Sequence, residues 1–281
     1  MTRVTLVGAA GKMGGRVRGS LRDADDYELR LVEVSEEGRA RLAAEGWEVS
    51  EPDDAYAGAE LVVMAVPDRI VGEVAPDVVA RLDPGTVLVC LDPAGAHAGK
   101  IPRRDDIACF VTHPTHPPLF DLLAEETLEA RRDYWGGGLA RQSLVNALVW
   151  GPEDAYERGA ALAARMFGPV LRMYRVEIDQ LALLEPAMAE TVTITCIQLI
   201  RDSLDEVVAR GVDPQAARDF LLGHVQITCA LLFGELDWEL SAGAKQAVRD
   251  AMEQLVRPDW KRVFEPDEVL RSVGRITGDT A

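Results

Sequence analysis

Residues 3–14 read RVTLVGAAGKMG, and this stretch limits the rest of the chain more than any other. A β-branched, apolar run over residues 3–7 ends in a glycine turn, and residues 16–21 then carry a helical pattern. A strand, a GxxGxxG turn and a helix in this order form a dinucleotide-binding fingerprint. Gly8 permits the tight turn, Gly11 lets the backbone approach a diphosphate, and Gly14 lets the helix pack on the strand. Lys12 and Met13, inside the turn, are expected to meet the cofactor with them. The unpaired N–H groups of the helix start then face the diphosphate.

Later segments repeat the unit. A β run over 29–34 carries Glu33 near its end. An acid there accepts hydrogen bonds from ribose hydroxyls and repels a 2′-phosphate, so NAD is expected rather than NADP. Residues 59–66 (AELVVMAV) and 85–91 (GTVLVCL) are nearly all apolar, as strands covered on both faces are. Pro67 and Asp68 break the first of these, and residues 70–82 read as a helix that Asp68 either caps or leaves to contact the cofactor. Another β run covers 107–111. Repeated β–loop–α units predict an α/β fold, a doubly wound parallel sheet of the Rossmann type over residues 1–134.

From residue 135 the composition turns helical, and residues 135–281 are expected to form an all-α domain. Gly136, Gly137 and Gly138 would open a helix through 149, with further helices at 153–167, 178–210, 214–233, 241–256 and 267–273. Residues 170–176 suit a short strand. The pattern over 178–210 is long for a globular helix and has one proline, Pro186, so a spine shared across a subunit interface is expected.

Between the halves lies THPTHPPLF, residues 112–120, with two of the four histidines. Pro114, Pro117 and Pro118 argue against a helix or a central strand there. Strand exits of open α/β sheets are where ligands bind, so His113 and His116 are candidates for metal ligation or proton transfer. Glu185 stands beside Pro186 among apolar neighbours, and a buried carboxylate needs a partner. Glu190, five positions on, is expected on another helical face. His113, His116, Glu185 and His224 are the nitrogen and oxygen donors that would suit zinc or another first-row divalent ion. The structural alternative is that the histidines hydrogen-bond a domain junction and Glu185 a broken helix. His97, in a glycine- and alanine-rich loop, reads as a surface residue.

A net charge of −17 argues against nucleic acid and anionic membranes as partners. No apolar run is expected to match a membrane span. A small anionic substrate remains compatible with local positive charge, and Arg141 is one candidate clamp. Cys90, Cys109, Cys196 and Cys229 show no CxxC spacing and read as reduced thiols; with no leader pattern at the start, a cytoplasmic protein is expected.

The GAAGKMG turn, Glu33, the VPD at 66–68, HPTHPPLF at 113–120 and LLEPAMAE at 183–190 together resemble the D-apionate oxidoisomerase family, a branch of the 6-phosphogluconate-dehydrogenase-like superfamily. The likeness covers most of the chain, and the HPTHPPLF loop is far more specific than the glycine turn. It implies a Rossmann domain followed by an all-α domain that forms a homodimer. It implies NAD-dependent oxidation of a branched sugar acid, D-apionate, coupled to a carbon shift that gives 3-oxo-isoapionate. Val66 and Asp68 would lie at the cofactor, His113 and Glu185 would hold a divalent metal, and His116 would be a ligand or general base. Related dehydrogenases use a lysine early in the helical domain, but this chain has none between Lys100 and Lys245, so that mechanism is not expected. Two other readings stay open: a plain NAD-dependent dehydrogenase of another hydroxy acid, and an NAD(H)-sensing protein without chemistry.

Overall fold

The apolar runs at the middle of the first half become strands in which every residue is buried, β3 (Leu61–Met64) and β4 (Val87–Cys90). In the computed structural model, which describes residues 1–121 and 126–279, they lie inside a seven-stranded sheet. The others are β1 (Thr2–Val7), β2 (Tyr27–Val32), β5 (Ala108–Pro114), β6 (Gln142–Trp150) and β7 (Val170–Arg175). The spatial order is β2-β1-β3-β4-β5-β6-β7. The first five strands pair in parallel, as expected. β6 then runs antiparallel to β5, and β7 parallel to β6.

Helices cover both faces. α1 (Lys12–Leu21) and α6 (Glu153–Phe167) pack Val17, Leu162 and Met166 against Leu6, Phe110 and Leu144 on one face. α4 (Asp68–Arg81) packs Val71, Ala75 and Val78 against Val62, Leu88 and Val111 on the other. The short helices α2 (Glu36–Ala44), α3 (Pro52–Tyr56) and α5 (Pro93–His97) fill the remaining connections.

Two expectations about the second half need correction. Residues 136–149 do not form a helix; Gly136 and Gly138 adopt φ of +76° and +114° in a loop, and β6 follows. QSLVNALVW has weak strand propensity, but its first six residues are buried between two neighbouring strands, and that tertiary setting decides. The sheet therefore continues past residue 135. The chain divides into one unit of Met1–Glu185 with the segment from Leu270 onward, and another of Pro186–Val269, rather than at 134/135. The proline argument at 112–120 also fails in part, because Thr112, His113 and Pro114 belong to β5. Pairing to β4 stops at Val111, so Pro114 sits where β5 has β6 alone as neighbour and a missing donor costs least.

One continuous helix of 32 residues spans Ile178–Ala209. It comprises α7 (Ile178–Ala182), a π-helical stretch over Leu183–Ile194 and α8 (Thr195–Ala209). Pro186 lies in the π-helical part. In that geometry the hydrogen bonds run i to i+5, so the α-helical spacing that would separate Glu190 from Glu185 does not apply. By length and composition this helix could cross a membrane, contrary to the expectation that no segment would.

The helical unit contains α8, α9 (Pro214–Leu232) and α10 (Ala242–Leu255). Asp213 caps α9 by accepting from the Ala216 N–H, as the Asp-Pro step predicted. α11 (Pro266–Ile276) leads back into the sheet unit.

Candidate active site

The glycine turn has little room for side chains. Gly8 has φ +79°, and a Cβ there would lie 2.6 Å from the Ala65 carbonyl oxygen. A Cβ on Gly14 would lie 2.6 Å from the Ala9 carbonyl oxygen, so α1 packs against its own turn only through glycine. Gly11 is the residue before α1 and makes no side-chain cap, and the first turn carries no acid. The helix N–H groups around Lys12 and Met13 thus have no carboxylate in their own turn to satisfy them, which suits a diphosphate. Glu33, buried at the end of β2, accepts from the Ala10 N–H at 3.1 Å and from the Ser35 N–H and hydroxyl at 3.0 and 2.8 Å. Burial alone would push its carboxyl up, but these hydrogen bonds together hold it below the usual carboxylate range.

Gly11, Lys12, Met13, Val66, Asp68, His113, His116 and Glu185 line one cavity of about 400 Å³. Successive parallel strands deliver its acidic wall: Asp68 follows β3, Asp92 follows β4, and His113 ends β5. Such crevices beyond the carboxyl ends of strands are the usual ligand sites of this architecture. The His113 Nδ1 lies 3.1 Å from the Leu91 carbonyl oxygen, which can only accept, so Nδ1 carries the proton and Nε2 a lone pair. That Nε2 is 3.4 Å from Glu185 Oε2, and Nδ1 is 3.7 Å from Asp92 Oδ2. Asp92 is further fixed by accepting from the Ala94 N–H at 2.8 Å.

One donor atom from each of Asp92, His113 and Glu185 lies within 4.8 Å of the others. Two ligands bound at about 2.1 Å to one ion stand roughly 3.0–3.4 Å apart, close to the His113–Glu185 spacing. The three half-buried acids repel one another. Burial, and then Asp92, push Asp68 up to about 6. Burial also raises Glu185; His113 pulls it back and Asp92 adds to the rise. A donor set of one imidazole and clustered carboxylates fits a divalent cation.

The cavity also carries basic and aromatic groups. Lys12 Nζ sits 4.0 Å over the Trp135 ring, and Arg16 donates to the Trp135 and Gly136 carbonyl oxygens. His116, with φ +60°, packs on Trp135 at 4.9 Å.

The structure thus gathers the expected Gly11, Lys12, Met13, Val66, Asp68, His113, His116 and Glu185 around one cavity, with Gly8 and Glu33 behind the turn. Four other expectations differ. His116 stands outside the metal-donor trio among the described residues. His224 belongs to the helical unit, stacked on Phe220 at 4.1 Å. Arg141 is exposed and does not line the cavity; Lys12 and Arg16 do. His97 is not a surface residue: its side chain is 12% exposed, with Nε2 3.4 Å from Asp179. Asp92, Arg16 and Trp135 were missed. Asp92 had a signal, because DP after the fourth strand repeats the P/D ending of the third. Trp135 had none, since its loop returns to the cavity only through β6.

A D-apionate oxidoisomerase of Rhizobium rhizogenes is 45% identical over 278 residues, covering 99% of this chain and 100% of that protein. This chain belongs to the D-apionate oxidoisomerase family. The sequence profile of the C-terminal part of decarboxylating phosphogluconate dehydrogenase matches residues 124–277, which places that family within the wider superfamily. A semialdehyde dehydrogenase NAD-binding protein from Cupriavidus necator, solved in complex with calcium and NAD, is 43% identical with a TM-score of 0.94, covering 99% of this chain and 100% of that one. An NADH-preferring ketol-acid reductoisomerase from an uncultured archean, 16% identical with a TM-score of 0.67 over 98% of this chain and 82% of that one, shares the fold alone. The chain is an NAD-dependent oxidoreductase with a Rossmann-like unit and a C-terminal helical unit.

Proposed function

We propose that this protein oxidises D-apionate with NAD and shifts a hydroxymethyl group, giving 3-oxo-isoapionate. The observation that carries the reading is the trio Asp92, His113 and Glu185 in the same cavity that Gly11, Lys12 and Met13 of the glycine turn line. Bound NAD supplies a hydride acceptor, and a bound divalent cation supplies a Lewis acid that grips neighbouring oxygens. Gly8, Gly11 and Gly14 admit the dinucleotide, the α1 N-terminus binds its diphosphate, and Glu33 faces the ribose. His113, Glu185 and Asp92 hold the cation; zinc or another first-row ion suits the imidazole, and the carboxylates also suit a hard ion. Lys12 and Arg16 supply positive charge for anionic groups despite the net −17.

His116 accepts the proton of the 2-hydroxyl as the carbon bearing it loses hydride. In the rearrangement the 3-hydroxyl loses its proton, the hydroxymethyl group moves to carbon 2 with its bonding pair, and the former 2-oxo oxygen gains a proton. The second stage is proton-neutral overall, so one base and one acid suffice. Burial raises Asp68, and this carboxyl at the cavity wall can carry that proton.

NADH formation from D-apionate, followed with and without chelator, tests the reading, and carbon NMR of the product tests the shift. NADH that the chelator abolishes supports substrate and cation together. An unrearranged oxo acid would sink the carbon shift, and no NADH from protein that binds NAD would retract the substrate.

We also assign the exposed apolar face of the helical unit to a second copy of this chain. α8 has no buried residue, and Ile194, Ile197, Leu199, Phe220 and Phe233 are exposed. A helix without tertiary burial is marginal in water, and a patch this apolar marks an interface. Sedimentation equilibrium should give twice 30.6 kDa; a monomer at micromolar concentration would contradict it. The four free cysteines fit a reducing compartment, and we place the protein in the cytoplasm.

A further inference from the structure

Outside the acid trio, the most constrained group at the cavity is the proposed base itself. His116 is one of two non-glycine residues among those described with positive φ, at +60°. Such a conformation is costly for a residue with a side chain and persists only where its surroundings impose it. Thr115 donates its hydroxyl to the His116 carbonyl at 3.0 Å and Pro117 follows, while Trp135 meets the side chain. Its carbonyl oxygen lies 3.2 Å from His116 Nδ1, and its indole packs on the imidazole with ring centroids 4.9 Å apart.

Trp135 is itself held from three sides. Lys12 places its ammonium 4.0 Å from the indole centroid, and Arg16 donates to the carbonyl oxygens of Trp135 and Gly136. Asp133 pins the following turn by accepting from the N–H groups of Gly137, Leu139 and Ala140 at 2.7, 3.0 and 3.1 Å. Burial would raise that carboxyl, but the backbone donors bring it below its usual range, so it stays an acceptor. A surface loop without a role rarely collects this many restraints.

We propose that Trp135 is a positioning residue for the reaction: its carbonyl fixes the His116 proton on Nδ1, and its indole fixes where the bare Nε2 stands in the cavity. A carbonyl oxygen accepts and cannot donate, so the hydrogen bond selects one tautomer. The indole adds what the carbonyl cannot, because a single hydrogen bond leaves the ring free to swing about it. A base displaced by about 1 Å loses on the order of 100-fold in rate, so this restraint matters to turnover. The inference deepens the function proposed above and rests on His116 acting there as the base.

The test uses the full chain with Trp135→Ala, Trp135→Leu and Trp135→Phe. With four histidines in the chain, long-range nitrogen spectra at a pH where imidazoles are neutral resolve each ring, and His116→Ala assigns the signal. The wild type should show His116 with the proton on Nδ1. All three variants keep the residue 135 carbonyl, but without the indole the ring swings off it, so Trp135→Ala and Trp135→Leu should move its nitrogens toward the averaged values of two exchanging tautomers, and Trp135→Phe should keep them near wild type. Unchanged shifts in the Ala and Leu variants, with NAD binding intact, overturn the proposal. This readout needs no substrate, so it decides the matter even if D-apionate is not turned over. With turnover, Trp135→Ala should lower kcat on the order of 10- to 100-fold with little change in the KM for NAD. The double variant with His116→Ala should be no slower than His116→Ala alone. Losses that multiply instead would show that Trp135 acts independently of His116, which also overturns the proposal.

Discussion

The two walls of the cavity differ in what their charges lack. The acidic wall brings Asp68, Asp92 and Glu185 together, with His113 between Asp92 and Glu185. Asp68 and Glu185 are pushed up by burial and by Asp92, so the wall is electrostatically unfinished. On the basic wall, Lys12 rests on an aromatic ring, and Arg16 donates to carbonyl oxygens and feels the charge of Asp133 without a direct carboxylate hydrogen bond among the described contacts. One wall calls for a cation, the other for anions. A chain of net charge −17 can therefore hold a dinucleotide and a sugar acid, because charge at a site is set by which strand ends and helix starts meet there.

If the walls divide the work in this way, variants should separate by parameter. The largest effect belongs to the acidic wall. His113→Ala and Glu185→Gln should each lower kcat by roughly 10²–10⁴-fold, the span of lost acid–base and Lewis-acid assistance. Metal binding by calorimetry should weaken with it, while NAD affinity stays within about threefold, since the glycine turn is untouched. A parallel loss of NAD affinity would break the division.

Next is the turn itself. Gly14→Ala forces a Cβ against the Ala9 carbonyl, so α1 must shift from its strand. NAD affinity should fall by on the order of tenfold or more, as about 1.4 kcal/mol of misplacement already gives that factor. Metal binding should be unaffected. Smaller still is Lys12→Ala, which removes one charged donor. The KM for NAD should rise about five- to tenfold, the worth of one charge-assisted hydrogen bond, and the rise should shrink at high salt. A change in kcat alone would place Lys12 on the substrate instead.

The parallel part of the fold was legible because its signals are local. Runs such as LVVM and VLVC, each closed by a polar or proline step, fix strand, turn and helix without reference to the rest of the chain. The same locality exposed Gly8, Gly14, Glu33 and the His113 strand exit. β6 was not legible. Its alanine, leucines and glutamine favour a helix, and only pairing with β5 and β7 makes it a strand. Trp135 was hidden for the same reason. Glu185 was found through its apolar neighbours, but the third donor of the trio, Asp92, stands ninety-three positions away, and no local pattern links them. His97 was misread because a glycine-rich loop usually lies at the surface, whereas this one folds as α5 beneath α7 and seats the ring beside Asp179.

Glu33 gives the smallest effect and the sharpest control on the comparison. Burial pushes both carboxyls up, yet that of Glu33 ends below its usual range and that of half-buried Asp68 above it. The difference lies in partners: Glu33 accepts from Ala10 and Ser35, while Asp68 faces Asp92 and Glu185. A group depressed in the folded state adds stability that is present above its unfolded pKa and is lost as pH falls through its folded one. Glu33 should therefore support the fold at neutral pH and contribute progressively less to stability below about pH 4.3. Glu33→Gln keeps the shape but removes the charge. Its Tm should sit below wild type at pH 7 by on the order of 2–4 °C, and the gap should close as the pH approaches 3. A gap that stays constant across that range would mean that shape, and not charge, holds the Ala10 turn. The contrast between hydrogen-bonded and mutually repelling carboxylates would then no longer account for the two walls.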